Sequence, residues 1–189
     1  MGTEPASAGT HHYSVQKDLS EFEHLSSASA DFVFETIDIG MQEAATTDAG
    51  FTPFVTLMPA EGTVTVCRMD VEEGELNGEE GVAFCREHLR TVDPSVRCVA
   101  VVWDGYVTLE DSGRTEAVFV EAYELGQPVG VLMAQRYERV NDEIHIKWNP
   151  AKLGDEPEPL VPLAPKRTTS SRDDAIARIQ ALADRRNRG

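Results

Sequence analysis

Four β-rich runs between residues 97 and 148 constrain the fold more than any other feature of this sequence. The runs are Arg97–Leu109, Glu116–Glu124, Val129–Arg139 and Glu143–Trp148. The segments between them are three to six residues long and contain Gly, Pro, Asn and Asp, the residues that favour turns. Connections this short cannot hold a crossover helix, so the runs predict an antiparallel meander.

The first of these runs contains a stretch that is apolar on both faces, Val99–Trp103. Such a stretch is typical of an interior strand covered on both sides. The last run instead alternates, which predicts two different faces: Ile144, Ile146 and Trp148 on one, His145 and Lys147 on the other. The sheet therefore needs two covers, from helices of this chain on both faces or from a second subunit on one.

Upstream of the meander, the pattern predicts two helices and a hairpin. The first helix covers Ser29–Thr47, and the second begins at Asn77 and ends at Asp93-Pro94. Two short strands, 54–58 and 63–67, lie between the helices, joined by a turn that contains Gly. The apolar faces of the helices are Phe34, Ile37, Met41 and Ala44 in the first, and Val82, Cys85, Leu89 and Val92 in the second. The predicted fold is α+β with a predominantly antiparallel sheet, in the order α-β-β-α-β-β-β-β.

The chain outside this unit predicts three further segments. Residues 1–26 are polar and predict a weakly ordered tail, although Val15, Leu19 and Phe22 at i, i+4, i+7 suit a short docking helix. A single domain, 27–154, is followed by a Pro-rich linker, 155–170, and a short basic amphipathic helix, 171–189. The residues of that helix predicted to bind a partner are Ile176, Ile179, Leu182, Arg185 and Arg186.

Charge and composition exclude several classes of protein. The net charge is −16, with +4 on residues 166–189 and −20 on the rest, which disfavours nucleic-acid binding by the main domain. We expect no membrane association, because no stretch approaches about 20 apolar residues. The cysteine count is odd, at three, and the N-terminus has no apolar run, so we expect reduced, buried thiols and a cytoplasmic location. The cysteines form no CxxC pair, which disfavours a structural zinc site.

The sequence contains no nucleophile, zincin or phosphate-loop motif, and we expect no cofactor and no metal. Four polar residues interrupt the apolar strands: Asp104, Glu121, Gln135 and His145. If Asp104, Glu121 and His145 converged, they could perform acid–base chemistry or hold a divalent metal. The favoured alternative is structural: Asp104 bends a strand, and Glu121 pairs across strands with Arg136 or His145.

The sequence therefore favours a non-enzymatic binding or scaffold module, and no enzymatic activity is assigned. Its partner is expected to be another protein or a second copy, bound through the sheet or through the C-terminal helix. The alternative is a hydrolase or a metal-dependent enzyme that uses Asp104, Glu121 and His145. A third hypothesis, a contact of Arg185, Arg186 and Arg188 with an anionic surface, ranks last.

Overall fold

The computed structural model describes residues 25–48, 50–69, 78–93, 95–109, 113–154 and 156–161. The helices in this part of the chain are α1 (Ser27–Thr46) and α2 (Gly78–Leu89). The strands are β1 (Phe54–Pro59), β2 (Thr65–Arg68), β3 (Val96–Leu109), β4 (Gly113–Glu124), β5 (Val131–Val140) and β6 (Glu143–Lys152). The predicted α+β class and the order α-β-β-α-β-β-β-β are confirmed.

The strands form one six-stranded antiparallel sheet in the order β2-β1-β3-β4-β5-β6. The predicted meander is β3 to β6, and the predicted hairpin, β1 with β2, joins it by pairing β1 with β3. The short strand β2 and the longer strand β6 are the two edges of the sheet.

Both faces of the central strands are covered by this chain. On the side called the α1 face, Ala100 and Val102 of β3 pack with α1. On the opposite side, the α2 face, Val99 and Val101 pack with α2. The expected double cover of β3 therefore needs no second subunit.

Helix α1 begins in a network of hydrogen bonds that connects it to the start of β3 and the end of β4. The Ser26 side chain accepts a hydrogen bond from the Ser29 backbone N–H, which caps the helix. Ser26 Oγ and Arg97 Nη2 both donate to Glu124 Oε1, at 3.0 and 3.3 Å. Burial pushes the pKa of Glu124 upward, but the hydrogen bonds from Ser29, Ser26 and Arg97 outweigh it and hold that pKa below its ordinary value.

The apolar stripe of α1 packs on the sheet, with one difference from the prediction. Its buried apolar residues are Phe32, Val33, Ile37, Met41 and Ala44. The assignment of Phe34 to this face is wrong, because its side chain is 48% exposed. Phe34 follows the buried Val33 by one residue, and one residue turns the helix by about 100°, away from the core.

Helix α2 shows the predicted stripe at Val82, Cys85 and Leu89, which are all buried. It ends at Leu89, before the predicted end at Asp93-Pro94, so Val92 is partly buried in the turn that follows the helix. Burial raises the pKa of the Cys85 thiol to about 11, as expected for a cysteine that packs as an apolar residue. Asn77, the predicted cap of this helix, lies outside the described residues.

The chain after β6 turns back along the start of β5 and then packs into the domain. The Leu153 N–H donates to the Leu132 carbonyl, and the Gly130 N–H donates to the Pro157 carbonyl. Leu160 and Val161, in the predicted linker, are buried in the α2-face core with Tyr123. The described chain thus enters and leaves at the same end of the sheet, beside the end of β4.

Candidate functional site at the edge strand

Asp104 lies on the α1 face of β3, in a largely buried polar contact. Its Oδ1 accepts a hydrogen bond from Tyr137 Oη at 2.8 Å, and Gly50 approaches its Oδ2 from the loop after α1. Burial raises the pKa of Asp104, and the nearby charge of Glu116 adds to the rise. The same burial drives the pKa of Tyr137 well above its ordinary value, so the phenol remains a donor.

Glu121 lies on the opposite, α2 face of the sheet. Its carboxylate is buried and accepts two hydrogen bonds from Arg86 of α2, one of them from Nε at 3.0 Å. The predicted pairing of Glu121 with Arg136 or His145 is therefore wrong. The partner comes from the helix that covers this face, which strand spacing alone cannot reveal.

His145 lies on the exposed edge strand β6, directly opposite Glu138 of β5. The structure thus places Asp104 with α1, Glu121 with α2 and His145 at the sheet edge. It brings no two of these three side chains together. Among the residues that the structure describes, no group of three or more His, Cys, Asp or Glu side chains could hold a metal ion.

The C-terminal residues predicted to bind a partner lie outside the described residues. They are Ile176, Ile179, Leu182, Arg185 and Arg186. Neither of the two described helices is long and apolar enough to cross a bilayer.

The exposed apolar side chains draw attention to β6. Ile146 is 64% exposed and Trp148 is 57% exposed, the two highest values among the large apolar side chains described. Both belong to an edge strand whose outer backbone groups have no neighbouring strand in the described part of the chain. An exposed edge with apolar side chains is the part of a sheet best suited to pair with another chain.

A bulge divides β6 into two parts. The pairing with β5 shifts between Ala134 and Arg136, and Trp148 has a positive φ of 61° at this point. The buried amide of Gln135 donates to the carbonyls of Arg136 and Trp148, at 2.9 and 3.1 Å. This polar residue inside an apolar strand therefore serves the bulge, where backbone carbonyls would otherwise lack donors.

The bulge also changes the predicted faces of β6. Tyr137 and its neighbour Ile146 lie on the α1 face, as does Ile144, which packs partly on the α1 core. Trp148 does not follow them, because its ring stacks at 3.7 Å on the guanidinium of Arg136. Since Arg136 pairs with Ala117 of the α2-face core, the prediction that Trp148 shares the face of Ile144 and Ile146 is wrong.

The part of β6 before the bulge, Glu143–Lys147, carries charges at both of its ends. Glu143 and His145 are exposed, and Lys147 forms an ion pair with Glu138 of β5. The hydrogen bond and the charge of Lys147 lower the pKa of Glu138. We call these five residues the edge segment.

Comparisons with protein-family models, with curated proteins and with solved structures found no match.

Proposed function

We propose that this protein is a non-enzymatic binding module that self-associates by pairing the edge segment of β6 with that of a second copy. The observation that carries the proposal is the apolar edge at Ile146, which pairs with no further strand among the described residues and lies in a segment whose sequence is complementary to itself. The double cover of β3, which the sequence could have assigned to a second subunit, gives no support because both covers come from this chain.

The self-complementarity follows from antiparallel pairing about His145. In that register Ile144 of one copy faces Ile146 of the other, and Glu143 faces Lys147. Residues directly opposite each other in an antiparallel pair share a face, and apolar or oppositely charged pairs each contribute roughly 0.2–1 kcal/mol. The contact is isologous, since each pair occurs twice about a two-fold axis at His145.

The bulge sets the size of this contact. The ladder can extend over about five residues before Trp148 turns the strand out of register, so the main-chain pairing is short. A contact of this kind buries less surface than a standard stable interface of about 800 Å² per partner. We therefore expect reversible association that depends on protein concentration.

The test is a charge exchange followed by sedimentation velocity of the full chain over a range of concentrations. Glu143→Lys alone and Lys147→Glu alone should each abolish association, because like charges then face each other. An equimolar mixture of the two variants should associate again, since opposite charges are restored across the interface. A wild-type chain that stays monomeric at every concentration, or a mixture that stays monomeric, contradicts the proposal.

Matched controls separate the edge from a general surface effect. Glu35→Lys reverses an exposed charge on the outer side of α1 and should leave association unchanged. Ile146→Asp should abolish association, whereas Phe34→Asp, at a similarly exposed aromatic on α1, should not. Thermal unfolding of each variant checks that Lys147→Glu, which also loses the pair with Glu138, remains folded.

The predicted C-terminal helix, 171–189, is a second element of this proposal. Its apolar residues Ile176, Ile179 and Leu182 and its positive charge suit docking on an acidic surface, of this domain or of a partner. Because Leu160 and Val161 are buried, a deletion that tests this role should begin after Val161. Unchanged mass and unchanged partner capture by the shortened chain would remove the helix from the proposal.

A further inference from the structure

The turn between β5 and β6 fixes which backbone groups of the edge segment face outward. Its two residues are Asn141 and Asp142, and both have a positive φ, at 52° and 65°. A two-residue turn of this kind is closed by a pair that exchanges hydrogen bonds, here Val140 with Glu143. Since hydrogen-bonded and non-hydrogen-bonded pairs alternate along an antiparallel ladder, the backbone N–H and C=O of His145 also point to β5.

The outward backbone groups are those of Ile144 and Ile146. Each of these residues forms a non-hydrogen-bonded pair with β5, so its N–H and C=O point to the edge of the sheet. When two edge segments pair about His145, these groups exchange hydrogen bonds between the copies. His145 of one copy then faces His145 of the other in a non-hydrogen-bonded pair, where Cα atoms are about 4.5 Å apart and opposite side chains approach most closely.

His145 meets charged groups from both strands on its face of the sheet. Its side chain points to the α2 face, since its two neighbours in β6 point to the α1 face. Glu138 of β5 lies directly opposite, and Glu143 and Lys147 flank His145 on β6. Arg136 of β5 lies diagonally, with its guanidinium stacked on an indole ring. The described helix of this face, α2, packs on β1 and β3, so the further charges at the contact are those of the second copy.

We propose that His145 makes the self-association dependent on pH, so that two copies pair near neutral pH and separate when both imidazoles take up a proton. The inference rests on the proposed pairing of the edge segments and names the group that regulates it. Imidazole is the side chain that ordinarily changes its charge between pH 5 and 8. Two imidazolium groups placed opposite each other at the two-fold axis repel, whereas two neutral imidazoles do not.

The sign of the effect follows from which contacts are new in the pair. The hydrogen bond and the charge of Lys147 lower the pKa of Glu138, and the charge of His145 adds to this fall. Because Glu138 faces His145 in the separate chain and in the pair alike, its attraction for the imidazolium favours neither state. The diagonal Glu143 and Lys147 of the second copy have opposite charges and offset each other. The repulsion between the two His145 side chains remains, so proton uptake favours the separate chains.

The size of the effect is set by two unit charges about 6 Å apart at a wet surface. At that separation their repulsion weakens association roughly three- to tenfold. The net charge of −16 becomes less negative on acidification, which weakens the general repulsion between copies and acts in the opposite direction. The measured quantity is therefore the change in the wild type relative to the change in a variant without the imidazole.

The test is sedimentation velocity of the full chain over a range of concentrations at pH 7.5 and at pH 5.5. Ordinary carboxylates and ammonium groups keep their charges between these values. The ratio of the dissociation constant at pH 5.5 to that at pH 7.5 should be roughly three- to tenfold larger for the wild type than for His145→Gln. The matched control is His88→Gln, at an exposed histidine of α2, which should behave as the wild type. Thermal unfolding at both pH values checks that each variant is folded.

A second variant should reverse the sign. His145→Glu places two carboxylates at the axis and should associate poorly with itself. Fluorescently labelled His145→Glu in an excess of unlabelled wild type presents a carboxylate to an imidazole, so this mixed pair should become tighter at pH 5.5, where the wild-type pair becomes weaker.

The outcomes separate this inference from the proposed function. Equal ratios for the wild type and His145→Gln, or a mixed pair that weakens on acidification, would overturn the role of His145 and leave the edge pairing to its charge-exchange test. A wild-type chain that is monomeric at both pH values would overturn the edge pairing and the pH dependence together.

Discussion

Gly40 provides the sharpest test of how α1 lies on the sheet. A Cβ atom at this position would lie 2.5 Å from Val118 Cγ1 and 2.9 Å from Val102 Cγ1. Ordinary van der Waals contact at such an atom begins at 3.4 Å, so helix and sheet would have to separate by about 1 Å. We therefore predict that Gly40→Ala destabilises the protein although alanine is the better helix former.

Two opposing effects set the size of the loss. Replacing glycine by alanine inside a helix gains about 1 kcal/mol of intrinsic propensity. Overpacking a well-filled core typically costs about 1–3 kcal/mol, and here both neighbours are buried β-branched side chains with little χ1 freedom. Because both contacts are closer than 3.0 Å, we expect a cost in the upper part of this range that exceeds the gain, for a net loss of up to about 2 kcal/mol in the free energy of unfolding.

Urea unfolding followed by circular dichroism measures this loss. Gly78→Ala is the control, because a Cβ at the first residue of α2 would meet nothing within 4 Å, and its effect should stay within about 0.5 kcal/mol. Adding Val118→Ala to Gly40→Ala should cost less than the sum of the single changes, by roughly 0.5 kcal/mol or more. A Gly40→Ala protein at least as stable as the wild type, or strict additivity in the double variant, would refute the close packing of α1 on β4.

Three further predictions concern titrating groups. The pKa of Asp104 is raised above its ordinary 3.8, so the folded state holds the proton more tightly than the unfolded state, and the free energy of unfolding falls as the pH rises through that range. Asp104→Asn should remove this fall and should be more stable than the wild type at pH 7, as measured by urea unfolding at a series of pH values. The pKa of Glu124 is instead lowered from 4.5, so its contribution to the free energy of unfolding is present above that pH and is lost on acidification. In the same assay Glu124→Gln should lower the free energy of unfolding by roughly 1–3 kcal/mol at pH 7 and by much less near pH 3. A thiol reagent should label the half-buried Cys67 in the native protein and should label Cys85 and Cys98 only after unfolding. Labelling of all three cysteines in the native protein would contradict this prediction.

The fold could be predicted from the sequence wherever a single helix or strand has a clear hydrophobic periodicity. The meander was visible because its turns are short and its strands apolar, and α2 because Val82, Cys85 and Leu89 repeat at helical spacing. The face of Phe34 was missed because Val33 and Phe34 both fit an apolar stripe, and only the position of the sheet decides which of them is buried.

The site was less predictable because its contacts join elements that are distant in the chain. Glu121 is 35 residues from Arg86, and no local pattern connects a strand carboxylate with a guanidinium on a helix. Gln135 is recognisable in the sequence as a polar residue inside an apolar strand, but its hydrogen bonds depend on the bulge opposite it, which the sequence does not predict. The positive φ of Trp148 breaks the alternation of faces that the sequence of β6 predicts. Tryptophan is not a residue that favours this conformation, so the sequence does not indicate it.

The shared end at which the described chain enters and leaves has a mechanical consequence. A force applied between Ser26 and Val161 acts at one end of the sheet, so it does not slide the strands of the sheet past each other. The C-terminal stretch would detach first, and β6 would then open from β5 one hydrogen bond at a time, starting at Lys152. A ladder loaded in this sequence breaks at low force, so the domain should yield easily when stretched between its ends and resist only when pulled along its strands.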